Sequence, residues 1–503
     1  MSAIIDRIFA HEGFDQLDKD ALVKRYDVSG AISEINSAIR SQQGQRPQTS
    51  DVVSDIPPGG ILISTPGTYF FASDQPWKPE SRACSAITIT ASDVVLDLAG
   101  FSLTATVVDN SQLIAGITIH GDVANVTIRN GTLVNMCYHG ICAEGVTDLT
   151  IENITVSGLV FNNLETRNLC PAGIHIDTAS NVTVTNCTVQ FLYVTADSSA
   201  GIQILNTVGG TVSGCVMSDF VNYDGSVQGF SYLKSSNIAT SSCTCDSFQS
   251  HFRSNIQTLG HTVLGFVPIF CIDLAYENCT ATNMVGCCDD CHGMSVFLDA
   301  LVSVTSFTAN TVIDGVAQSN SGAKATGLEV YGALVTVIGC SVENITAINP
   351  QDRQATGFSA WGWGISFTGC TAANVSVTDR DGNEHSALGY GTGFGWAPDP
   401  RQPLCAVAAT GVVYDGCSAS DCQVGFDTWN HVDSVWTNVS YTNCDIDVLV
   451  EPGGTRTVSC NPCSECNPPI TVTLTNMAAG NLFPGSYTAI VTNGAGGTIL
   501  PGS

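Results

Sequence analysis

Apolar and polar residues alternate in short runs along most of this chain, and two phrases return in turn. The first is a glycine followed by an apolar residue, any residue and a second apolar residue, as in "AGITIHG" (115–121) and "TGLEVYG" (326–332). The second is rich in β-branched residues, as in "NVTIRNGTLVN" (125–135) and "NVTVTNCTVQF" (181–191). Alternation of this kind, bounded by glycine and asparagine, predicts short β-strands separated by tight turns.

Cysteines in the second phrase show the period of the pattern. Cys187, Cys215 and Cys243 are 28 residues apart, and the same place in later phrases holds Cys279, Cys340, Cys370, Cys417 and Cys444. Strand patterning at this period is typical of a solenoid, in which equivalent residues of successive turns lie about 4.8 Å apart. We therefore predict a row of buried free thiols, with disulfides between turns as the alternative. The asparagine or glycine before each cysteine is expected at a corner.

The repeats, together with "ITITASDVVLDLAGFSLT" (87–104), carry a resemblance to a known family. The chain resembles right-handed parallel β-helix proteins of the pectate-lyase-like superfamily, including proteins of large DNA viruses and of bacteria. The resemblance covers about residues 84–450 and implies an all-β fold, a single-stranded right-handed parallel β-helix solenoid. It implies no single function, because the fold occurs in enzymes, adhesins and virion parts alike.

The two ends of the chain differ from the repeats. Residues 1–45 have apolar residues at helical spacing and predict a short helical segment for capping or assembly. Residues 46–83 read as a linker and N-terminal cap strands. Residues 451–503 predict a Cys-rich β cap or arm. Its C-x₂-C-x₂-C run, Cys460, Cys463 and Cys466, suits disulfides or, with a fourth ligand, zinc or a cluster.

Composition and charge narrow the choice of partners. Charged residues make up 12% of the chain, against about 25% in ordinary proteins, and the formal net charge is −28. A nucleic acid or an anionic membrane surface is therefore not expected as a partner. No apolar run is long enough to span a membrane. Asp6 and Arg7 interrupt the N-terminal apolar stretch, so we expect no signal peptide there.

Candidate catalytic residues come from the glycine phrase. Its two apolar residues are expected to point inward, so the residues between and after them should point outward. On three early turns this places His120, Glu144, His175 and Asp177 on one outer strip. Two carboxylates and two imidazoles could perform acid–base chemistry or hold a divalent metal, although exposed polar residues are also the default for an outer face.

A metal site and a ligand surface are further candidates. The cluster "GCCDDCHG" (286–293) offers Cys287, Cys288, Cys291 and His292 as metal ligands, or else a loop disulfide beside solvated aspartates. The expectation is no cofactor, with zinc or calcium as the alternative. Tyr331, Trp361 and Trp429 share one outward position and form a candidate surface for stacking sugars or docking a protein, unless long loops cover them.

Two classes of function remain after these steps. The favoured one is a non-catalytic structural or surface protein, a virion or filament component that forms a homo-oligomer or polymer and engages glycans or a virion shell. It would lie in a virion or an extracellular assembly at the cell surface. The alternative is a carbohydrate-active enzyme, a polysaccharide lyase or glycoside hydrolase acting on the outer face of the β-helix.

Overall fold

The structure is a computed structural model in which sixteen stretches of the 503-residue chain are described. These are residues 46–47, 51–81, 83–106, 112–162, 170–223, 225–251, 262–287, 290–315, 324–348, 355–379, 391–395, 409–427, 431–432, 434–449, 456–460 and 470–474. Every regular element in them is a β-strand, and they contain no helix with the length and apolarity to cross a bilayer. The predicted helical segment, residues 1–45, lies outside the described residues.

The first compact unit, described over residues 46–287, is a parallel β-helix of three sheets. The motif sheet, which carries the glycine phrase, contains Arg46–Pro47, Ile61–Ile63, Ala83–Ile89, Ala172–Asp177, Ser198–Leu205, Ser226–Leu233 and Val263–Ile269. The second sheet contains Val52–Val53, Gly67–Phe71, Val94–Asp97, Ser180–Thr185, Val208–Ser213, Ser236–Ser241 and Ile272–Glu277. The third sheet contains Gln75–Trp77, Ser102–Ala105, Val160–Asn162, Thr188–Thr195, Val216–Asn222, Thr244–Ser250 and Thr280–Val285. Two long strands, Leu113–Val134 and His139–Ser157, bend through all three sheets.

The second compact unit, described over residues 290–474, repeats this plan. Its motif sheet contains Asp290–Thr305, Lys324–Ala333, Ala355–Trp363, Gly391–Phe394, Val424–Asp427 and Ile446–Leu449, with Ala409–Thr410 and His431–Val432 beside it. The second sheet contains Thr336–Ile338, Ser366–Thr368, Val413–Asp415, Val435–Thr437 and Arg456–Cys460. The third contains Thr308–Asp314, Ser341–Ile348, Thr371–Thr378, Ser418–Ser420 and Ser440–Thr442. One strand, Ile470–Leu474, pairs antiparallel with Arg456–Cys460.

Left-handed backbone conformations form the corners between sheets. In the first unit, one corner recurs at Asn130, Asn153, Asn186, Gly214, Ser242 and Asn278, all with φ between 52° and 61°. The same corner in the second unit includes Gly339, Gly369 and Gly416. Asparagine and glycine are the residues that adopt this conformation at least cost. The prediction that the residue before each cysteine turns a corner is confirmed.

The motif glycine lets successive turns approach closely. A Cβ atom on Gly173 would lie 2.5 Å from the side chain of Val189 and 2.9 Å from the carbonyl oxygen of Gly201 on the next turn. Both distances are shorter than an ordinary van der Waals contact, so a larger residue would push the turns apart. The glycine phrase therefore recurs because the strand needs a residue without a side chain at this point.

Seven of the eight predicted row cysteines are buried, Cys444 is half-buried, and none of the eight forms a disulfide. Cys187, Cys215, Cys243 and Cys279 follow equivalent corners, and the backbone nitrogen after each of the last three bonds the carbonyl of the preceding cysteine at 2.9 Å. Each thiol donates to the carbonyl oxygen two residues before it, at 3.4 Å for Cys187. These thiols replace small apolar side chains inside the solenoid.

Burial also sets the reactivity of the thiols. It raises the pKa of Cys170 to about 11 and that of Cys422 to about 12. Because the thiolate is the reactive form, a buried thiol with a raised pKa reacts slowly with alkylating reagents.

We expect the sixteen buried cysteines of the described residues to resist iodoacetamide at neutral pH in the folded protein and to react once it is unfolded in denaturant without reductant. Intact mass spectrometry measures the number of labelled cysteines before and after unfolding. Rapid labelling in the folded state would contradict the burial of the thiols. Labelling of the unfolded chain that rises after reduction would reveal disulfides, and peptide mapping would show whether they involve Cys460, Cys463 and Cys466.

Candidate functional site

The outward side of the motif sheet in the first unit brings the predicted catalytic residues together. Glu144 is the register partner of His120 on the preceding strand and of Asp177 on the following strand. His175 lies two positions before Asp177 and is the register partner of Cys142. The sequence prediction therefore identified neighbouring residues. Three of them, His120, Glu144 and Asp177, are register partners on three consecutive strands, and we call such a row a file.

This side of the sheet is buried, which the alternation of residues did not predict. His175 is 0% exposed and Asp177 is 3% exposed, whereas His120 and Glu144 are half-buried. The Asp177 carboxylate accepts hydrogen bonds from Asn206 and from the Thr178 hydroxyl, each at 2.9 Å. The expectation of an exposed strip is wrong for His175 and Asp177, since both are enclosed and bonded within the protein.

His175 belongs to a buried polar chain. Its Nδ1 lies 2.9 Å from Gln203 Oε1, and the Gln203 amide donates to Cys170 Sγ at 3.3 Å. The ring of His139 stacks on that of His175, with centroids 4.8 Å apart. Burial, and then the charge of His175, lower the pKa of His139 well below its usual value. His139 is therefore neutral at physiological pH and cannot serve as a cation there.

The second unit holds a buried charged cluster on the same side of its motif sheet. Glu329 pairs with the Lys324 ammonium and lies 3.3 Å from His292 Nδ1, and the Ser295 hydroxyl donates to it at 3.2 Å. Burial opposes ionisation of Glu329, but the charges of Lys324 and His292 outweigh burial and lower its pKa. The Lys324 ammonium also lies 5.7 Å from the ring centroid of Trp361, within cation–π range.

His139 and His292 occupy the same place in the repeat. Each immediately precedes the motif glycine, in "HGICAEG" (139–145) and "HGMSVFL" (292–298), and each contacts the residue two positions after the glycine of the following turn. In the first unit that residue is His175, and in the second it is Glu329. The sequence shows a histidine before the glycine in both phrases, but only the strand register of the structure identifies the residue that each histidine contacts.

The predicted aromatic surface is buried. Tyr331 and Trp361 are register partners, as their shared position implied, with ring centroids 5.4 Å apart. Tyr331 is 1% exposed and Trp361 is 6% exposed, so the alternative in which the rest of the chain covers these rings holds for both residues. Trp429 lies outside the described residues.

The described residues include only part of the predicted metal and disulfide sites. Cys287 ends the described part of the first unit, while Cys291 and His292 belong to the second, and Cys288 lies outside the described residues. Within the described stretches, no group of three or more histidine, cysteine or acidic side chains is arranged to hold a metal ion. Cys460 ends a strand, and Cys463 and Cys466 lie outside the described residues, so both sites stay predictions.

An exposed aromatic surface that the sequence analysis missed lies on the third sheet of the first unit. It comprises Phe191, Tyr193, Tyr223 and His251, and we call it the lateral aromatic surface. Phe191 is 43% and Tyr193 40% exposed, and the rings of Tyr223 and His251 stack with centroids 5.7 Å apart. The available signal was the run "FLY" (191–193), in which two aromatic residues flank the buried Leu192.

Comparison with known proteins bears on the fold alone. No protein-family model matches the chain, and no curated protein sequence is similar to it. A solved catalytic domain of a GH87 α-1,3-glucanase is similar at 11% identity with a TM-score of 0.37, covering 77% of this chain and 63% of the glucanase chain. This chain thus matches less than two thirds of that protein.

Two further solved structures are of other kinds. Tailspike protein 3 of bacteriophage CBA120 matches at 10% identity and a TM-score of 0.29, covering 94% of this chain and 67% of the tailspike. PfbA, a surface adhesin of Streptococcus pneumoniae, matches at 10% identity and a TM-score of 0.33, covering 89% and 93%. The predicted all-β parallel β-helix fold is confirmed by the strand pairings.

Replacing Glu329 by Gln should destabilise the protein by about 3 kcal/mol at pH 7, because it leaves the Lys324 charge enclosed without its counter-charge. Since the folded-state pKa of Glu329 is lowered, its contribution is present above the unfolded-state value and is lost as pH falls through the folded value. The difference from wild type should therefore shrink below about pH 4.3. Denaturant unfolding between pH 3 and 7 measures this.

Glu152→Gln is the matched control for this experiment. Glu152 lies 3.9 Å from Arg129 in an ion pair whose two side chains are 36% and 39% exposed. Its replacement should cost under about 1 kcal/mol. An equal effect of the two substitutions would contradict the buried character of the Glu329 cluster.

Proposed function

We propose that this chain is a non-catalytic surface β-helix protein, a component of a virion or filament that self-associates and engages glycans outside the cell. The observation that carries the proposal is the contrast between the two outer faces of the first unit. On the motif sheet, His175 and Asp177 are enclosed and hydrogen-bonded within the protein. On the third sheet, aromatic side chains are presented to solvent.

The physical properties of the chain support this role. Parallel strands stacked turn upon turn form a stiff lateral surface, which suits repeated contact with a partner. The net charge of −28 opposes close approach of an anionic polymer and favours uncharged partners. Phe191 and Tyr193 supply exposed aromatic area, and aromatic rings of this kind dominate the energetics of binding surfaces.

Multi-angle light scattering tests the assembly part of the proposal. The purified protein should elute with a molar mass that is a whole-number multiple of the chain mass, and the multiple should persist on dilution into the nanomolar range. Copies with the same high net charge repel one another, and salt weakens this repulsion by screening the charges. The number of copies in the oligomer should therefore stay constant or rise as the salt concentration increases. A monomer at every concentration and salt tested would contradict self-association.

A carbohydrate-active enzyme is the second candidate, because His120, Glu144 and Asp177 share one register file. A lyase or hydrolase of this kind would place its general acid or base at the half-buried His120 and Glu144. Digestion of a polysaccharide panel, with and without Ca²⁺, tests this function. An enzyme should lose at least 100-fold in rate on Glu144→Ala, with Glu152→Ala as the control on the same strand. No cleavage of any polysaccharide, or cleavage that Glu144→Ala leaves unchanged, would contradict this site.

A further inference from the structure

Phe191 has a backbone conformation that does not suit its side chain. Its φ is 57°, in the left-handed region, where a bulky residue is strained. The equivalent corner positions on neighbouring turns hold Gly158, Asp219, Ser247 and Asn283, with φ between 54° and 69°. Every neighbour is glycine or a short polar residue, which tolerates this conformation far better than phenylalanine does.

Packing does not explain the phenylalanine. The side chain of Phe191 is 43% exposed, so it returns little burial energy for the strain at its backbone. Leu301 and Leu334, which are 49% and 44% exposed with φ of 56° and 55°, share this combination, so the distinguishing property of Phe191 is its aromatic ring beside the exposed ring of Tyr193. The position therefore points to a ligand for this face of the third sheet.

Neighbouring turns extend Phe191 into a surface. Tyr193 is two residues further along the same strand, and its register partners on adjacent turns are Val160 and Val221, both half-buried. Tyr223 lies two residues beyond Val221, and its ring stacks on His251 of the next turn. The exposed ring of Tyr193 and the stacked rings of Tyr223 and His251 therefore extend the surface beyond Phe191 across neighbouring turns, which lie about 4.8 Å apart.

Charge restricts the ligand of this array. The three strands that carry or directly precede its residues, Thr188–Thr195, Val216–Asn222 and Thr244–Ser250, contain no lysine or arginine. They contain Asp219 and Asp246. Burial opposes ionisation of Asp246, but hydrogen bonds from Thr282 and Asn283 lower its pKa, so it is charged at neutral pH. An anionic ligand would be repelled, and the aromatic rings suit a ligand with flat apolar faces and hydroxyl edges.

We propose that the lateral aromatic surface, Phe191, Tyr193, Tyr223 and His251, binds an uncharged glycan whose pyranose rings stack on Phe191 and Tyr193. The inference deepens the proposed function, on which its glycan ligand rests, by naming the site and the class of sugar. Uronate and sulfated glycans are excluded by the carboxylates beside the rings.

The test separates binding from stability with three variants. Phe191→Asn removes the ring and places a residue suited to the left-handed corner, so it should raise the unfolding midpoint while weakening glycan binding at least 10-fold. Tyr193→Ser should weaken glycan binding by a similar factor without raising the unfolding midpoint. The control is Leu334→Asn in the second unit, since Leu334 is also exposed, at 44%, with φ of 55°. It should raise the midpoint and leave binding unchanged.

Isothermal titration with malto-, cello- and nigero-oligosaccharides, and with oligogalacturonate as the anionic probe, measures the affinities. We expect at least one neutral series to bind and the uronate not to bind. Neutral binding that survives Phe191→Asn and Tyr193→Ser would overturn this site and leave glycan engagement standing. Absence of binding to every neutral probe would overturn both this site and the proposed engagement of glycans. Loss of the oligomer in Phe191→Asn, seen by light scattering without a change in sugar affinity, would instead assign the surface to contacts between copies.

Discussion

Hydrogen bonding between consecutive turns is the constraint on which this molecule depends. Apart from Ile470–Leu474, which pairs antiparallel, each described strand pairs in parallel with a strand of a neighbouring turn, so the chain must turn the same corners at the same places on successive turns. Left-handed corners accomplish this, and they favour asparagine, glycine and short polar residues at the corner positions, although Phe191 and Leu334 also adopt the conformation. The same geometry stacks Asn153 on Asn130 and Asn374 on Asn344, each through an amide hydrogen bond of 3.1 Å.

Register decides which side chains meet. His139 stacks on His175, and His292 reaches Glu329, because in both units the residue before the motif glycine lies beside the second residue after the glycine of the following turn. One geometric relation therefore produces a stacked imidazole pair in one unit and a charged cluster in the other. The chemistry differs because the second unit supplies Lys324 and Ser295 around the carboxylate.

The two outer faces of the first unit have different consequences for function. On the motif-sheet face, residues of the types used in catalysis are buried and form hydrogen bonds within the protein. Asp177, for example, accepts hydrogen bonds from Asn206 and Thr178. The third-sheet face remains open at Phe191 and Tyr193, and there the backbone tolerates a strained aromatic residue. A strained, exposed residue and an enclosed, satisfied one contribute to a protein in opposite ways, the first to contact and the second to stability.

From the sequence alone, the fold class, the strand phrases, the corner before each cysteine and the burial of the cysteine row could be predicted, because each depends on local alternation and a fixed repeat. The files that join His120 to Glu144 and Tyr331 to Trp361 could be predicted for the same reason. Tertiary structure alone decided that His175, Asp177, Tyr331 and Trp361 are enclosed and that Phe191 and Tyr193 are exposed. Alternation along a strand distinguishes its two sides, but whether the outer side meets water depends on what the rest of the chain packs against it.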